Sequence, residues 1–408
     1  MKTTTPIVAS LKFNKNEIEV GELVRSNKGI FFKYYPGFIS LGIEISPFKM
    51  PLSDSILAAK SNHFDGLFGV FNDSLPDGWG RLLLDRVLVS RGVSLQDVSP
   101  LDRLAFIGTN GMGALVYKPK IEINHPYKNK IDLELIAIET NRVLEGASSE
   151  VIDKLYDLGG SSGGARPKIF VGYHPENGLL MPEQEVLPKG FEHWIIKYPS
   201  STDQPDAANI EFAYYKMALD SGIEMSDSIL FSGKSGKRYF GTKRFDRIGN
   251  NRLHMHSASG LLHDNFRLSN MDYGHLMDCA FILENSVRAY EKVLRLAAFN
   301  VFAHNLDDHS KNFSFLMNAH GNWKFAPAYD LTFSTSSFGW HNTMVAGESE
   351  APTQKHLMEL AEIFSIKNAD KIIGQVKNVV SNWKVYAEEN EVSRTSTKMI
   401  NRAIKSLI

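Results

Sequence analysis

Nine residues, His304 to Asn312, hold two carboxylates, two imidazoles, a lysine and a closing asparagine, and a strand–turn–strand follows at once. An apolar helical stretch, Glu291–His304, delivers the chain to this loop. "NFSFLM", "NAHGN" and "WKFAPAYD" then read as strand, turn and strand ending on Asp330. A fold containing this segment must carry a polar loop between a buried helix and a hairpin. Asp307 and Asn312 are five apart, so one loop can turn both inward. The hairpin brings its far end back beside its near end, which predicts Asp330 close to Asn312.

One free carboxylate, one carboxamide and one further carboxylate make a specific chemistry available. Asn and Asp oxygens are hard ligands that suit Mg²⁺ and its phosphate partners. A separate aspartate can orient or deprotonate a hydroxyl. This is the division of labour in protein-kinase phosphoryl transfer. Two other readings stay open at this level. Asp, Asn and Ser are ordinary turn residues of a solvated loop. His304, Asp308 and His309 could ligate zinc, although neither His-Glu-x-x-His nor a cysteine-bearing pattern occurs. His309 reads more simply as a histidine holding the loop.

Other segments supply what a kinase also needs. Lys197, between "WII" and "YP" in a strand, is expensive to bury unless its ammonium meets an anion such as a nucleotide phosphate. Glu211 on the next helix is a candidate partner, though a surface glutamate is the simpler reading. "GGSSGGARPK" could form a nest of N–H groups with Lys168 at its end. It is not a Walker A loop, and its glycine content alone favours a flexible turn. "KRFDR" could join two lobes, with backbone groups around Lys243–Phe245 facing adenine. Tyr329 could pack near the nucleotide, or be a buried tyrosine with no ligand.

The rest of the chain sets the frame. Its 408 residues exceed one ordinary core, so two or three domains are expected. The first 120 or so residues are strand-rich, with "EIEVGELV", "GIFFKYYPGFISL" and "GMGALVYKPK" as strands and a helix from Trp79 that Gly92 ends. Leu83, Val87 and Arg91 share a stripe of that helix. A boundary is expected at "EINHPYKNK". Helices are predicted over Asp132–Glu145, Glu150–Leu158 and Asp206–Ser221, and from about Ala351 onward. From residue 150 the chain thus begins with strands and ends with helices, an α+β order that suits a two-lobed domain. A net charge of -1 gives no overall field for nucleic acid or an anionic membrane. The single cysteine, Cys279, excludes intramolecular disulfides and fits a reducing cytosol. Met1–Phe13 has no apolar core of signal-peptide length, and the apolar run "VLRLAAFNVFA" is too short to span a bilayer, so a cytoplasmic location is expected.

Taken together these motifs resemble the HipA family, the serine/threonine kinase toxins of bacterial type II toxin–antitoxin modules. "LDDHSKNFSFL" resembles the family's catalytic loop, "APAYDL" its second metal motif, "HWIIKYP" its ATP-lysine strand and "KRFDR" its Arg-Phe-Asp-Arg strand. "FNDSLPDGWGRLLLDR" is similar to its N-terminal signature. The resemblance implies an α+β, two-lobed protein-kinase-like (lipid-kinase-like) fold with an N-terminal β-rich subdomain (1–122), an N-lobe-like part (131–245) and a mainly helical C-lobe (246–408) that ends in an all-helical region. It implies Asp307 as the catalytic aspartate, Asn312 and Asp330 as Mg²⁺ ligands, and Lys197 on the ATP phosphates. It places the phosphate loop on Ser162, Gly163, Gly164, Ala165 and Lys168, with Lys243, Phe245 and Tyr329 around ATP. The autophosphorylated serine falls on Ser161, with Ser162 adjacent. Arg166-Pro167 departs from the Gln-Glu of some members, and proline removes one backbone donor from the cradle. Asp308 stands where some members have glycine. The implied cofactors are ATP and Mg²⁺. The implied partners are a small helix-turn-helix antitoxin resembling HipB, with DNA reached mainly through it, and a protein substrate, described in the family as an aminoacyl-tRNA synthetase. A small-molecule or lipid kinase on the same fold, or a partner-binding module without catalysis, are the alternatives.

Overall fold

Ile7, Ala9, Leu11 and Phe13 are buried at a period of two, the spacing that turns one face of a strand to a core. The computed structural model describes residues 5–60, 62–121, 130–146, 149–200, 203–336 and 339–408. In it, Ile7–Phe13 is the fourth strand of an antiparallel sheet ordered Leu57–Ala58, Gly29–Tyr34, Asn16–Ser26, Ile7–Phe13, Leu115–Lys118. The strand expected over "GIFFKYYPGFISL" stops at Tyr34. Pro36 there opens a short helix, Pro36–Ile39, because its fixed φ and missing N–H suit a first helical position. Most of the expected boundary stretch, residues 122–129, lies outside the described residues.

A second antiparallel sheet runs Leu179–Pro182, Lys168–His174, Glu192–Lys197, Arg238–Lys243, Ser228–Ser232. Its core joins Ile169, Val171, Trp194 and Ile196 to helices Leu133–Leu144 and Ser149–Gly159. The helix Gly78–Ser90, sequentially part of the first unit, sends Trp79, Leu83 and Val87 into this second core. Arg91 lies outside the stripe, exposed at the helix end, where Gly92 takes a φ of 76°.

The largest core gathers Ala207–Asp220 with Tyr273–Glu284, Arg288–Phe302 and the later helices. Tyr214 meets Trp383 edge-on at 5.4 Å and donates to the Ala303 carbonyl at 2.6 Å. A three-stranded sheet, His254–Ser257, Ser314–Met317 and Trp323–Phe325, rests on this core and also reaches the first one through Met317. From Gln354 every regular element is helical. The fold is α+β and two-lobed, with the first sheet as an added subdomain. Among the described residues no helix is long and apolar enough to cross a membrane.

Candidate active site

Lys168 opens one strand of the second sheet and Lys197 closes its neighbour, and the antiparallel register sets them directly opposite. Opposed residues share a face of the sheet, so two like charges meet there and need anions. Lys197 Nζ bonds Glu211 Oε1 at 2.5 Å and also Asp330 Oδ1. Glu211 is buried, so the surface reading of this residue is wrong. It lies in the first turns of Ala207–Asp220, on the helix face turned to the sheet. Burial alone would lower the Lys197 pKa, but Asp330 and Glu211 outweigh it and hold the ammonium protonated. Lys168 is also buried, and there desolvation wins and lowers the pKa against the pull of Asp330. Burial would raise the Asp330 carboxyl, yet Lys197, Lys168 and Arg166 keep it well below the usual carboxylate range. Asp330 has a φ of 55°, an uncommon left-handed backbone for a residue other than glycine, of a kind that gathers at functional sites.

The two adjacent aspartates of the loop have opposite environments. Asp308 is 1% exposed. It accepts from Tyr273 Oη at 2.8 Å and the Asn342 N–H at 2.8 Å, and lies 2.9 Å from His341 Nδ1. Asp307 is exposed, with His309 Nε2 at 3.8 Å from its carboxylate. Asn312 Nδ2 donates to the Asp307 carbonyl at 2.7 Å, which closes the loop between them. Surrounding protein raises the Asp307 carboxyl pKa and Asp330 and Asp308 add to this, while His309 and Arg166 oppose it. His304 is turned away, stacked on Phe333 with Nδ1 3.1 Å from the Ser334 carbonyl. Among the described residues no three His, Cys, Asp or Glu side chains converge as a metal site. The zinc reading therefore has no geometry behind it. The hairpin does return on itself: the Tyr329 hydroxyl donates to the Lys311 carbonyl at 2.6 Å and meets Ser314 Oγ at 2.6 Å.

The Gly-rich loop folds over Lys168, since a Cβ on Gly164 would stand 2.7 Å from Lys168 Nζ. Gly163 and Ala165 are exposed, and their N–H groups have no partner among the described residues. Ser162 is fully buried and donates to the Gly159 carbonyl at 2.6 Å. Ser161 is partly exposed and donates to the Asn110 carbonyl at 2.8 Å. Phe245 stacks on Tyr329 at 5.2 Å. The Lys243 ammonium sits 2.6 Å from Glu192, and the N–H groups of Lys243 and Arg244 both donate to other backbone carbonyls.

The rest of "KRFDR" does something the sequence did not suggest. Asp246 is fully buried and bonds Arg244, Arg247 and the Gly113 N–H. Arg244 also meets Glu183 at 2.6 Å. The motif ties the first subdomain to the second sheet, and its partners are too distant in sequence to signal it. Asp330 offers hard oxygens beside the Lys197 and Lys168 ammonium groups, and Asn312 adds a carboxamide at the other end of the hairpin, whose ends meet where Tyr329 bonds the Lys311 carbonyl. That donor set fits a divalent cation with a polyphosphate.

Two family models match the chain. The family described as HipA-like C-terminal domain matches residues 160–383, and the HipA N-terminal domain matches residues 11–118. The Shewanella oneidensis MR-1 toxin–antitoxin complex of HipA, HipB and operator DNA contains a chain that is 17% identical. That match covers 98% of this chain and 95% of the other, with a TM-score of 0.67. The Helicobacter pylori proinflammatory kinase CtkA is 13% identical over 53% of this chain and 88% of its own, with a TM-score of 0.37, too low to argue from.

Proposed function

The chain belongs to the HipA family, and on that premise we propose that it is an ATP- and Mg²⁺-dependent serine/threonine protein kinase acting as a growth-inhibiting toxin of a toxin–antitoxin pair. The observation that carries the reading is the contact of Lys197 with both Glu211 and Asp330, beside a loop that exposes Asp307 and buries Asp308. Glu211 holds the Lys197 ammonium on the nucleotide side of the sheet, where it neutralises phosphate charge. The Gly163 and Ala165 N–H groups, with Lys168, line the phosphate cradle, and the stacked Phe245–Tyr329 pair lies beside the base. Asp307, with its raised pKa, orients the acceptor hydroxyl and takes its proton. Asp330 and Asn312 would hold Mg²⁺, which when bound screens the triphosphate charge.

Ser161 is the residue we assign to autophosphorylation, because Ser162 is sealed in the protein interior. A phosphate there adds about -1.5 to -2 charge beside the cradle. It repels the ATP phosphates and turns the kinase off. The partner we propose is a HipB-like helix-turn-helix antitoxin, through which the chain reaches operator DNA in the cytoplasm; the Shewanella structure holds HipA, HipB and operator DNA in one complex. The target is a cellular protein, with an aminoacyl-tRNA synthetase the first to try.

Incubation with γ-labelled ATP and Mg²⁺, with and without cell lysate, followed by phosphosite mapping, tests the reading. Label is expected on Ser161 and on a serine or threonine of a lysate protein. Label only on lipid or small molecules would replace the protein-kinase reading. A phosphosite outside Ser161–Ser162, or a phosphoform that binds ATP normally, would remove the off-switch.

A further inference from the structure

Asp77 stands at the N-cap of the helix Gly78–Ser90, where an aspartate ordinarily accepts an N–H from its own first turn. It makes no such bond. One carboxylate oxygen accepts the Gly164 N–H at the middle of the Gly-rich loop. The other accepts Lys311 Nζ at 2.5 Å, and Lys311 directly precedes Asn312 in the catalytic loop. The Asp77 and Lys311 side chains are each 16% exposed. Burial, which alone would raise the Asp77 carboxyl, is outweighed by Lys311, the Gly164 N–H and Lys168.

The helix start is shaped to the loop as well as charged for it. The Trp79 N–H donates to the Gly164 carbonyl at 3.0 Å. A Cβ on Gly78 would lie 2.4 Å from that carbonyl oxygen, and one on Gly80 2.3 Å from the Ser162 carbonyl oxygen. Gly80 lies inside the helix without a positive φ. Its lack of a side chain therefore serves the approach of the loop and not the helix.

We propose that Asp77 is a positioning residue of the phosphoryl-transfer site: its carboxylate clamps the Gly-rich loop to the catalytic loop, so that the N-terminal subdomain completes the nucleotide cradle. The proposal rests on the kinase reading above. With Gly164 anchored from this side, the loop holds Gly163 and Ala165 in place for phosphate, and Lys311 is fixed next to the metal-side asparagine. Without the clamp the loop is free to leave Lys168.

Two measurements on the full chain separate this proposal from the reading beneath it. Hydrogen exchange over residues 160–168 reports the clamp without nucleotide. Calorimetry with Mg²⁺ and a non-hydrolysable ATP analogue reports the cradle. Asp77→Asn keeps the shape and loses a charge-assisted pair, so the analogue should bind roughly 10- to 100-fold more weakly. Exchange should quicken over 160–168 and stay unchanged in the C-terminal helices, whereas general loss of structure would quicken it everywhere. Asp77→Glu should restore part of the affinity. Gly80→Ala, with the charges intact, should also free the loop, and it carries the test if Asp77→Asn does not fold. Unchanged loop exchange in both variants overturns the clamp. Faster loop exchange with undiminished analogue binding overturns its part in the cradle. A wild-type chain that binds no analogue overturns the kinase reading, while the exchange data still decide whether the clamp exists.

Discussion

Two clusters of buried charge lie at the ends of the second sheet, and they differ in one respect. Around Asp246 the three central groups are enclosed: the Arg244, Asp246 and Arg247 side chains are 1%, 0% and 6% exposed, with Glu183 at the rim at 18%. Around Lys197 the enclosure is partial. Lys197 is 11% exposed, while Asp330 and Arg166 are 34% and 36% exposed toward the cleft. Both clusters pair their charges and both contain a carboxylate held well below its usual pKa. The closed cluster can only hold parts together. The open one can exchange its partners for a ligand's. Perturbed pKa values do not by themselves separate a site from a tie, and access to the cleft does.

Substitutions should split along that line. The largest effect belongs to the open side. Asp307→Asn keeps the shape of the loop and loses the proton acceptor, so turnover should fall by roughly 10²–10⁴. Stability should stay within about 0.5 kcal/mol, because the side chain is exposed. Phosphotransfer rates beside urea denaturation check both halves. Retained turnover would count against Asp307, and Asp308 could take over the role only by leaving its buried partners.

The closed side should behave the other way. Asp246→Ala leaves Arg244 and Arg247 buried against each other, at a cost of about 3–5 kcal/mol in denaturant unfolding. Any surviving folded protein should still bind ATP. A destabilisation below 1 kcal/mol would mean that the tie is not closed.

A smaller effect comes from pH. His254, under the first subdomain, has its pKa pushed down to about 3 by burial and by His256, against the Ile45 carbonyl and Asp73. The ordinary value is 6.5. As pH falls below that, the unfolded chain takes the proton first, so stability is full above about pH 6.5 and declines toward pH 3. At pH 5 the loss from this group is about 2 kcal/mol. His254→Gln should flatten that part of the stability–pH curve, and an unchanged curve would place the acid sensitivity elsewhere.

What could be read from the sequence follows from how local each signal is. Asp307, Asn312 and Asp330 stand within one helix–loop–hairpin, so their spacing already carries the geometry. Lys197 was visible because an ammonium in an apolar strand demands an explanation. Glu211 stays between a Lys197 partner and a surface residue in the sequence, because a helix sequence does not say which face meets the sheet. "KRFDR" was read for its place between lobes, while its partners Glu183 and Gly113 lie 61 and 133 residues from Arg244 and Asp246. Asp77 was missed for the same reason, since its bonds to Gly164 and Lys311 span 87 and 234 residues. Three strands of the first sheet were legible from their β-branched and aromatic content, with the "GIFFKYYPGFISL" strand overrun where Pro36 turns the chain, while the period-two face of Ile7–Phe13 emerged only in the fold.

The central claim is that the open cluster is a metal–triphosphate site. Calorimetric titration of ATP into the wild type and Asp330→Ala, each with and without Mg²⁺, tests it most directly. The account predicts that Mg²⁺ tightens ATP binding in the wild type and that Asp330→Ala removes most of that gain. Equal Mg²⁺ dependence in the two proteins would contradict it.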